Sequence, residues 1–571
     1  MTGDARVTVF LGGRVHAEAG PQAIADGVAV ACGRVLAVGA ADDLRDAFPR
    51  AQCLDLGGRP VFPGLVDAHV HLVAYGLGLL HVDLRGTRSI AEAARRLAAA
   101  AASLPQEAWV LGRGWDKNTW VDDRFPTRAD LDALLPDRPA ACTSKDGHLL
   151  WVNTVALRLA GVTRATADPP GGAIGRGPDG EPDGLLKEEA RALVQRAIPS
   201  PSAAMREEAI RAAAAEFHRL GLTGVHAFTG GGDEGAEQFA ALQALWGRGE
   251  LALRTVATIP DHLLDVAAAT GLRSGFGDAM LRLGPVKIFA DGTLGAQTAW
   301  MLEAFDGQPG NTGIAVRSPE EIDALVQRAV AAGFTTAIHA IGDRANRTVL
   351  DVLERHAAAS ARAGLRHRIE HVQLLHHDDL PRLGRLGVVA SMQPVHATAD
   401  RDVAERYWGR RARWAYAWQS LCQTGAVLAF GSDAPVETPD PWRGLYAAVT
   451  RRRPDEPDVP SWYPDECLTL EQALRAYTQG PAYAAGAERT WGRLAPGCVA
   501  DFIVLDRDPY AGRPEDLLQV QVLATVVDGR VRYAAGSLAG LATAPGVGAG
   551  TPGGRGAGGP GGATYRHGGD A

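Results

Sequence analysis

The chain has 571 residues, of which 46% are hydrophobic and 22% are charged, and its formal net charge is −8 at pH 7. This is an ordinary globular composition, and the length suits one large barrel-type domain with additions or two to four smaller domains. Acidic and basic residues are interspersed without a basic stripe, so the chain does not have the pattern of a nucleic-acid-binding protein. We expect the one dense basic run, Arg451–Arg453, to lie in a solvated loop because Pro-Asp-Glu follows it.

The sequence indicates neither a membrane span nor a disulfide framework. No stretch of 18 or more residues is apolar, and the segment MTGDARVTVF lacks the charged and apolar regions of a signal peptide. The six cysteines include no CxxC pair and are too sparse for a set of structural disulfides. We therefore expect a reduced, cytoplasmic protein.

Both ends of the chain are rich in short strands separated by glycine turns. Residues 1–62 contain VTVFLGGRVH and GVAVACGRVLAVGA, and residues 490–540 contain VADFIVLDRD and VLATVVDGRVRYA. Strand runs with this punctuation are typical of hairpins. We predict that the two ends form one composite β-sandwich domain. Residues 545–571 are too rich in glycine to bury a core and are predicted to be disordered.

In the middle of the chain, residues 63–489, short apolar runs alternate with helical stretches. Strand-then-helix units repeated at roughly 30-residue spacing predict parallel strands, and eight such units predict an α/β fold of the (β/α)8 TIM barrel type. The predicted strands are VFPGLVDAHVHL, GVHAF, LRTVAT, VKIFADG, TTAIHAIGD, HRIEH, VVASMQP and VLAFGSD. Residues 76–220 are too long for one crossover, so they are predicted to be a large insertion after the first barrel strand.

Two histidines lie one residue apart in GLVDAHVHL, residues 64–72. Residues i and i+2 of a strand face the same side, so His69 and His71 point together. A strand histidine is more often structural than a metal ligand, and this pair alone leaves both interpretations open.

Four further residues favour a metal site. Lys287, His339, His371 and Asp433 each lie at or near the carboxyl end of a predicted strand. Barrel enzymes take their catalytic residues from this end of several strands. Histidine and carboxylate ligands suit zinc and similar divalent metals.

Lys287 is unusual because the chain has only four lysines among its 58 basic residues. A lysine desolvated in an apolar strand loses its proton readily and becomes a nucleophile. Such an amine can add carbon dioxide to give an anionic carbamate that bridges two metals. The alternative is an internal ion pair with Asp291.

The order His-x-His, Lys, His, His, Asp resembles that of the amidohydrolase superfamily. The chain is most similar to its YtcJ-like, amidohydrolase-3 branch, which includes N-substituted formamide deformylases, over roughly residues 5–535. The motifs that carry the resemblance are PGLVDAHVHL, GRGWD, KDGHLLWVN, VKIFADGTLG, AIHAIGDRAN, RIEHVQLL, SMQPVH, GSDAPVETPDPW and GRLAPGCVADFIVLDRDP.

The resemblance implies a (β/α)8 barrel beside a β-sandwich and a metal centre with one or two divalent ions, zinc by default. His69 and His71 would bind one metal, His339 and His371 a second, and carboxylated Lys287 would bridge them. We expect a metal-activated hydroxide as the nucleophile.

Asp433 would contact the metal and transfer a proton in two steps of the reaction. We expect it to take the proton from the attacking water as a general base and to return it to the leaving amine as a general acid.

A second set of residues is predicted to surround the substrate. His396, in SMQPVH, is a candidate for substrate contact, with a structural role as the alternative. The resemblance suggests that His148, Trp115 and Asp116 wall the pocket, and the alternative is that they only fold the insertion. Asp67 is predicted to orient one of the two strand histidines.

The sequence therefore predicts a metal-dependent hydrolase that cleaves a non-peptide C–N bond of a small-molecule amide, such as an N-acyl or N-formyl amine. One alternative is a mononuclear deaminase or other hydrolase on the same site. Another is a regulatory or binding protein that keeps the fold without turnover. The superfamily also suggests a homo-oligomer, and neither a nucleic-acid nor a membrane partner is expected.

Overall fold

The structure, a computed structural model, describes residues 7–122, 124–145, 147–229 and 234–543, and their strands form three sheets. In chain order the strands are β1 Thr8–Val15, β2 Ala25–Ala31, β3 Arg34–Gly39, β4 Gln52–Asp55, β5 Pro60–Pro63, β6 Leu65–Val70, β7 Val82–Asp83, β8 Val110–Trp115, β9 Ala140–Ser144, β10 Leu149–Val152, β11 Gly172–Arg176, β12 Pro182–Glu188, β13 Leu222–Ala227, β14 Arg254–Pro260, β15 Leu281–Phe289, β16 Thr336–Ala340, β17 Arg368–His371, β18 Val389–Met392, β19 Leu428–Phe430, β20 Phe502–Leu505, β21 Val522–Val527 and β22 Arg530–Ala534.

The α-helices of these residues are α1 Ala41–Ala47, α2 Leu72–Leu80, α3 Ile90–Ala101, α4 Arg128–Asp132, α5 Thr154–Leu159, α6 Arg191–Gln195, α7 Ala203–Leu220, α8 Glu234–Gly247, α9 Leu264–Ala269, α10 Pro319–Ala331, α11 Asp343–Arg362, α12 Leu380–Leu386, α13 Pro394–Ala399, α14 Arg401–Trp408, α15 Trp418–Gln423, α16 Pro441–Thr450, α17 Leu470–Tyr477 and α18 Gln479–Ala484. Among them, none combines the length and the apolar character needed to cross a bilayer.

Eight parallel strands form a nearly closed barrel, as predicted. The order along this sheet is β6, β13, β14, β15, β16, β17, β18 and β19, so each strand lies beside the next one in the chain. The last strand returns to the first, because the N–H of Asp433 donates to the carbonyl of His69 at 2.7 Å. Each of the eight predicted runs overlaps one of these strands. All eight carboxyl ends therefore meet at one end of the barrel.

The run VFPGLVDAHVHL is not a single strand, which corrects the prediction. Pro60–Pro63 belongs to a second sheet and Leu65–Val70 to the barrel. Gly64 joins them, and its N–H donates to the carbonyl of Asp501 at 3.0 Å. A β-carbon on Gly64 would collide with the side chain of Thr223. The chain thus passes from one sheet to the other at a residue that has no side chain.

The helices around the barrel follow from capping and apolar spacing, as α10 illustrates. The Ser318 hydroxyl accepts from the N–H of Glu321 at 3.2 Å, and the Glu321 carboxylate accepts from the N–H of Ser318 at 2.7 Å. This reciprocal pair satisfies free N–H groups at the start of the helix. Ile322, Leu325 and Val326 recur at helical spacing and are buried in the main core of the barrel.

Strands from both ends of the chain share the second sheet. Its order is β22, β21, β20, β5, β1, β2 and β3, with β4 beside β1. The two ends meet where β20 pairs antiparallel with β5, with Phe502 opposite Pro63. The ends therefore come together; the sandwich form and the domain boundaries stay predictions.

The third sheet is formed by residues that lie in the sequence between the first two barrel strands, within residues 76–220. Its order is β11, β12, β10, β9, β8 and β7. Trp115, Trp120 and Trp151 pack against one another beside it, with ring centroids 5.5 to 6.3 Å apart. That these residues are an insertion into the barrel also stays a prediction.

Arg451 contradicts the expectation of a solvated loop. Its side chain is 1% exposed, and its guanidinium donates to the carbonyls of Trp462 at 2.5 Å, Tyr416 at 2.8 Å and Ala415 at 3.2 Å. A run of basic residues read in the sequence cannot show which carbonyls the fold will bring to one of them. The Gly-rich residues 545–571 lie outside the described residues, so their disorder stays a prediction.

A buried ion pair fastens the barrel to the sheet made by the chain ends. The guanidinium of Arg254, on β14, donates to the Asp501 carboxylate, Nε to Oδ2 at 2.5 Å and Nη2 to Oδ1 at 2.8 Å. The two side chains are only 3% and 9% exposed. Removing one partner leaves the other charged and buried, which is costly.

We expect Asp501→Asn to lower the free energy of unfolding by about 3–5 kcal/mol, because buried Arg254 would lose the carboxylate that binds it through two hydrogen bonds and keep only the longer contact with Asp528 at 3.5 Å. Urea unfolding of the variant measures this change. The control is Arg385→Met, which breaks the exposed pair with Glu354 and should cost at most about 1 kcal/mol. Equal effects of the two substitutions would contradict the role of the buried pair.

Candidate metal centre

The six predicted ligand positions line one cavity at the carboxyl end of the barrel. His69 lies on β6, Lys287 on β15, His339 on β16 and His371 on β17, while His71 and Asp433 directly follow β6 and β19. The cavity has a volume of about 360 Å³. His396, the first candidate for substrate contact, lies in its wall as well.

One group of electron-pair donors contains His69, His71 and Asp433. The Asp433 Oδ1 lies 3.1 Å from the Nε2 of His71 and 3.5 Å from the Nε2 of His69. The three ligand atoms all lie within 4.8 Å of one another. They are close enough to bind one ion together.

A second group shares Asp433 and consists of His371, His396 and Asp433. The Nε2 of His396 is 3.9 Å from the Asp433 Oδ2, and this buried nitrogen has no hydrogen-bond partner in the described structure. The expected pair of His339 and His371 stays a prediction: their ring centroids lie 4.5 Å apart, and the Nε2 of His339 lies 3.0 Å from the carbonyl oxygen of Gly292. A ring proton on Nε2 leaves the Nδ1 lone pair of His339 available as a ligand.

Glu370 holds the imidazole of His69, and the sequence had not identified it. Its Oε2 lies 2.7 Å from the Nδ1 of His69, and the side chain is fully buried. Burial alone would raise the pKa of Glu370, but the Arg368 guanidinium and His69 hold it well below its usual range. A carboxylate acceptor places the ring proton on Nδ1 and leaves the Nε2 lone pair facing Asp433.

The positive charge of Arg368 keeps the buried Glu370 carboxylate ionised. Its guanidinium donates to both Glu370 oxygens, Nε to Oε1 at 2.5 Å and Nη2 to Oε2 at 3.0 Å. It also donates to the carbonyl of Ala68 at 2.7 Å and contacts the Nδ1 of His226 at 2.6 Å. The alternation in RIEH, which puts Arg368 and Glu370 on one side of a strand, is the signal that could have found this pair.

Gln393 orients His371 in the same way. Its Oε1 lies 2.8 Å from the Nδ1 of His371, so the Nε2 lone pair of that ring is free to act as a ligand. The backbone of His371 and of Asp433 has positive φ angles, 75° and 58°. Such conformations are uncommon outside glycine and are held here by the surrounding barrel.

Asp67 has a different role from the one predicted. Its carboxylate accepts from the backbone N–H groups of His69 and Ser432, both at 3.0 Å, and from the Ser432 hydroxyl at 2.5 Å. It therefore joins the first and last barrel strands and does not orient an imidazole. Burial raises the pKa of Asp67 to about 7.

Lys287 is buried among aromatic rings. Its Nζ lies 4.6 Å from the ring centroid of Phe289 and 5.0 Å from that of Phe228, and burial lowers its pKa to about 8. The alternative ion pair with Asp291 is not formed: the Asp291 carboxylate instead accepts from the N–H groups of Ile341 and Gly342 at 3.0 and 2.8 Å.

The donor set fits a divalent metal. The Nε2 of His69 carries a lone pair, yet it faces the carboxylate of Asp433, and two acceptors repel unless a cation lies between them. The unpartnered Nε2 of His396 has the same need. Burial lowers the pKa of His69 to about 4 and that of His339 to about 3, so both rings are neutral at pH 7, as metal ligation requires.

The other predicted substrate residues lie outside the walls of this cavity. Trp115 and Asp116 line a separate cavity of about 460 Å³, and the Trp115 Nε1 donates to the carbonyl of Cys142 at 2.8 Å. His148 is exposed, and its Nδ1 lies 2.8 Å from the Glu188 carboxylate. Their role in substrate binding stays a prediction.

The buried histidines also predict how stability depends on pH. Burial lowers the pKa of five of them from 6.5 to about 4 or about 3: His69, His81, His218, His339 and His367. Between these values and 6.5 the unfolded chain binds more protons than the folded one, so stability falls as the pH falls. Asp67 and Asp291, each with a pKa raised to about 7, act in the opposite sense but are fewer.

We expect the metal-free protein to lose stability as the pH is lowered from 6.5 to 4, by up to about 3 kcal/mol for each such imidazole. Urea unfolding at several pH values measures this. His367→Gln should flatten the profile, because it removes one imidazole whose pKa is lowered by burial. This histidine hydrogen bonds to Thr336 and Ser360, away from the metal cavity, so the candidate ligands are unchanged. A free energy of unfolding that is constant over this range would contradict the prediction.

Comparison with known proteins gives relatives over nearly the whole chain. The chain is 33% identical to YtcJ of Bacillus subtilis (strain 168), covering 89% of this chain and 96% of the relative. It is 35% identical to the protein LONG AFTER FAR-RED 3 of Arabidopsis thaliana, covering 89% and 88%. It is 29% identical to the N-substituted formamide deformylase of Arthrobacter pascens, covering 89% and 95%.

Among solved structures, a metal-dependent hydrolase of Pyrococcus horikoshii OT3 superposes with a TM-score of 0.74 at 28% identity, covering 89% of this chain and 99% of the other. The sequence model of the amidohydrolase family matches residues 52–533. The barrel, the His-x-His pair and the strand-end histidines agree with this match, and the chain belongs to the amidohydrolase family.

Proposed function

We propose that this protein is a metal-dependent hydrolase that cleaves a non-peptide C–N bond of a small amide, an N-acyl or N-formyl amine. The observation that carries the proposal is the convergence of two histidine groups on Asp433 in one cavity of about 360 Å³. The similarity to a relative named N-substituted formamide deformylase supports this bond type.

A divalent metal bound to these donors would lower the pKa of a water molecule to near 7 and polarise the substrate carbonyl. The chain's own residues would then move the proton. Asp433 takes it from the attacking water as the C–O bond forms and delivers it to the amine nitrogen as the C–N bond breaks. The histidines near Asp433 hold its pKa well below its usual range although burial alone would raise it, so it starts as a base.

The residues behind the ligands keep the rings in the form that this chemistry needs. Glu370 fixes the proton of His69 on Nδ1, and Gln393 does the same for His371. Phe228 stacks on His69 at a centroid distance of 3.9 Å and an angle of 2°, which prevents the ring from turning.

The metal centre would contain zinc and a bridging ligand supplied by the chain. Zinc suits the nitrogen and carboxylate donors, with one or two ions per chain. Lys287 would be carboxylated and bridge two ions. Its burial and its pKa of about 8 support this, because a larger fraction of its amine is unprotonated at neutral pH than in an ordinary lysine.

The remaining parts of the proposal concern the setting of the enzyme. We propose a cytoplasmic homo-oligomer that acts on small molecules, with a composite β-sandwich beside the barrel and an insertion after its first strand. A regulatory or binding role without turnover is the alternative, and the complete donor set around Asp433 favours turnover.

We expect Asp433→Asn to lower kcat for N-formyl and N-acyl amines by about 10²- to 10⁴-fold, because the amide cannot accept the proton of the attacking water. Initial rates of amine release on a panel of such amides measure this. The control is Asp265→Asn on α9, which changes an exposed pair with Arg328 at 2.7 Å away from both cavities and should leave kcat unchanged. Near-normal turnover by Asp433→Asn would refute the role of Asp433.

Metal content per chain, measured on the same preparations by elemental mass spectrometry, decides the alternatives. A value close to two supports the bridged pair, and a value close to one favours a mononuclear hydrolase or deaminase. A value near zero that persists after incubation with zinc and bicarbonate contradicts the metallohydrolase proposal.

We expect Glu370→Gln to weaken metal binding by about 10- to 100-fold, because His69 would lose the carboxylate that orients it. Competition with a chelator measures the affinity. The matched control is Glu188→Gln, which changes the same kind of contact at the exposed His148 and should leave the affinity unchanged. Unchanged affinity in Glu370→Gln would contradict the role of the Glu370 carboxylate in metal binding through His69.

A further inference from the structure

A second cavity, of about 520 Å³, adjoins the metal centre. Val436 and Glu437 line both cavities, so the two cavities adjoin at these residues. The loop of residues 435–440, which follows Asp433, forms one side of the second cavity. The two cavities together are large enough for a substrate that extends well beyond its reacting amide.

The opposite side of this second cavity is formed by α2. This helix begins directly after His71, and the N–H of Tyr75 donates to the carbonyl of His71 at 2.9 Å. Tyr75 and Leu79 line the cavity. Four residues of helix rise by about 6 Å, so the second cavity starts within about one helical turn of the metal centre.

Arg113, on β8, lines the second cavity and is unlike the other arginines there. Arg85 is paired with Asp83 at 2.7 Å and Arg219 with Glu216 at 2.6 Å. Within the described part of the chain, Arg113 has no carboxylate within 4.0 Å. Its Nε is buried and has no hydrogen-bond partner.

An arginine that lines a cavity without a carboxylate partner is suited to bind an anion. The Arg113 side chain as a whole is partly exposed and lines the cavity, so it can contact a ligand there, and a guanidinium without a carboxylate partner gains charge-assisted hydrogen bonds from an anion. Guanidinium binds a carboxylate through two parallel hydrogen bonds, a geometry that lysine cannot offer. Glu437 and Asp440 also line the cavity, so its overall charge does not favour anions. An anion would be bound by the guanidinium of Arg113.

We propose that Arg113 binds a carboxylate at the far end of the substrate, so that the enzyme prefers N-acyl or N-formyl amines whose amine part ends in a carboxylate. This inference rests on the proposed function and names its substrate class. The amide would lie at the Asp433 end, the linker would pass Val436 and Glu437, and the carboxylate would reach Arg113.

The test compares two series of formamides of increasing chain length. One series is the N-formyl derivatives of ω-amino carboxylic acids, and the other is the N-alkylformamides of matched length. We expect the carboxylates to have the higher kcat/KM, with an optimum at one chain length, because the distance to Arg113 is set by the fold. We expect Arg113→Met to lower kcat/KM for the best carboxylate by about 10- to 100-fold and to leave the neutral series within about threefold.

Two further variants make the test specific. Arg113→Lys keeps the charge but loses the paired hydrogen bonds, and it should fall between the wild type and Arg113→Met. Arg158→Met is the matched control, because Arg158 is exposed on α5 and lines neither cavity. Equal losses in the two series for Arg113→Met, or no preference for carboxylates in the wild type, would overturn the proposal.

Calorimetric binding of pentanoate to the metal-free protein separates this inference from the proposed function. If no formamide is hydrolysed but pentanoate binding is lost in Arg113→Met, the proposed reaction is wrong and the anion site stands. If formamides are hydrolysed and pentanoate binding does not depend on Arg113, the reaction stands and the anion site is wrong.

Discussion

The meeting of the last barrel strand with the first is the contact on which the rest of this structure depends. The N–H of Asp433 donates to the carbonyl of His69, and the Asp67 carboxylate binds the N–H groups of both His69 and Ser432. These bonds place the carboxylate of Asp433 beside the first-strand histidines. The same closure brings the carboxyl ends of all eight strands around one cavity.

A site built this way concentrates electron-pair donors where water is scarce. Several imidazoles and a carboxylate face one another with little solvent, and burial keeps the pKa of His69 and His339 far below the pH of a cell. The cost of burying Glu370 among them is offset by Arg368, whose guanidinium binds both carboxylate oxygens. Rigid second contacts of this kind are what orient ligands before any ion binds.

Much of the site could be predicted because its signal is local. The His-x-His pair, the lysine in an apolar strand and the aspartate after the last strand each stand at a strand end that periodicity locates. Glu370 and Arg368 were missed although their alternation in RIEH places them on one side of the strand, because that spacing does not show which imidazole they contact. The groups that orient the rings, such as the carbonyl of Gly292 beside His339 and the amide of Gln393 beside His371, were also beyond prediction, since they depend on how separate parts of the chain meet.

The sequence by itself determined the α/β class, the eight strands, the meeting of the two chain ends and the six candidate ligands that line one cavity. Apolar runs, glycine turns and strand-end polar residues are properties of neighbouring positions, so they can be read without coordinates. The tertiary structure alone decided which ligand atoms converge on Asp433, that Arg451 is buried, that Asp67 joins two strands, and that Arg113 has no carboxylate partner among the described residues. These depend on groups that are distant in the chain and meet only when the barrel closes and the third sheet comes to lie beside it.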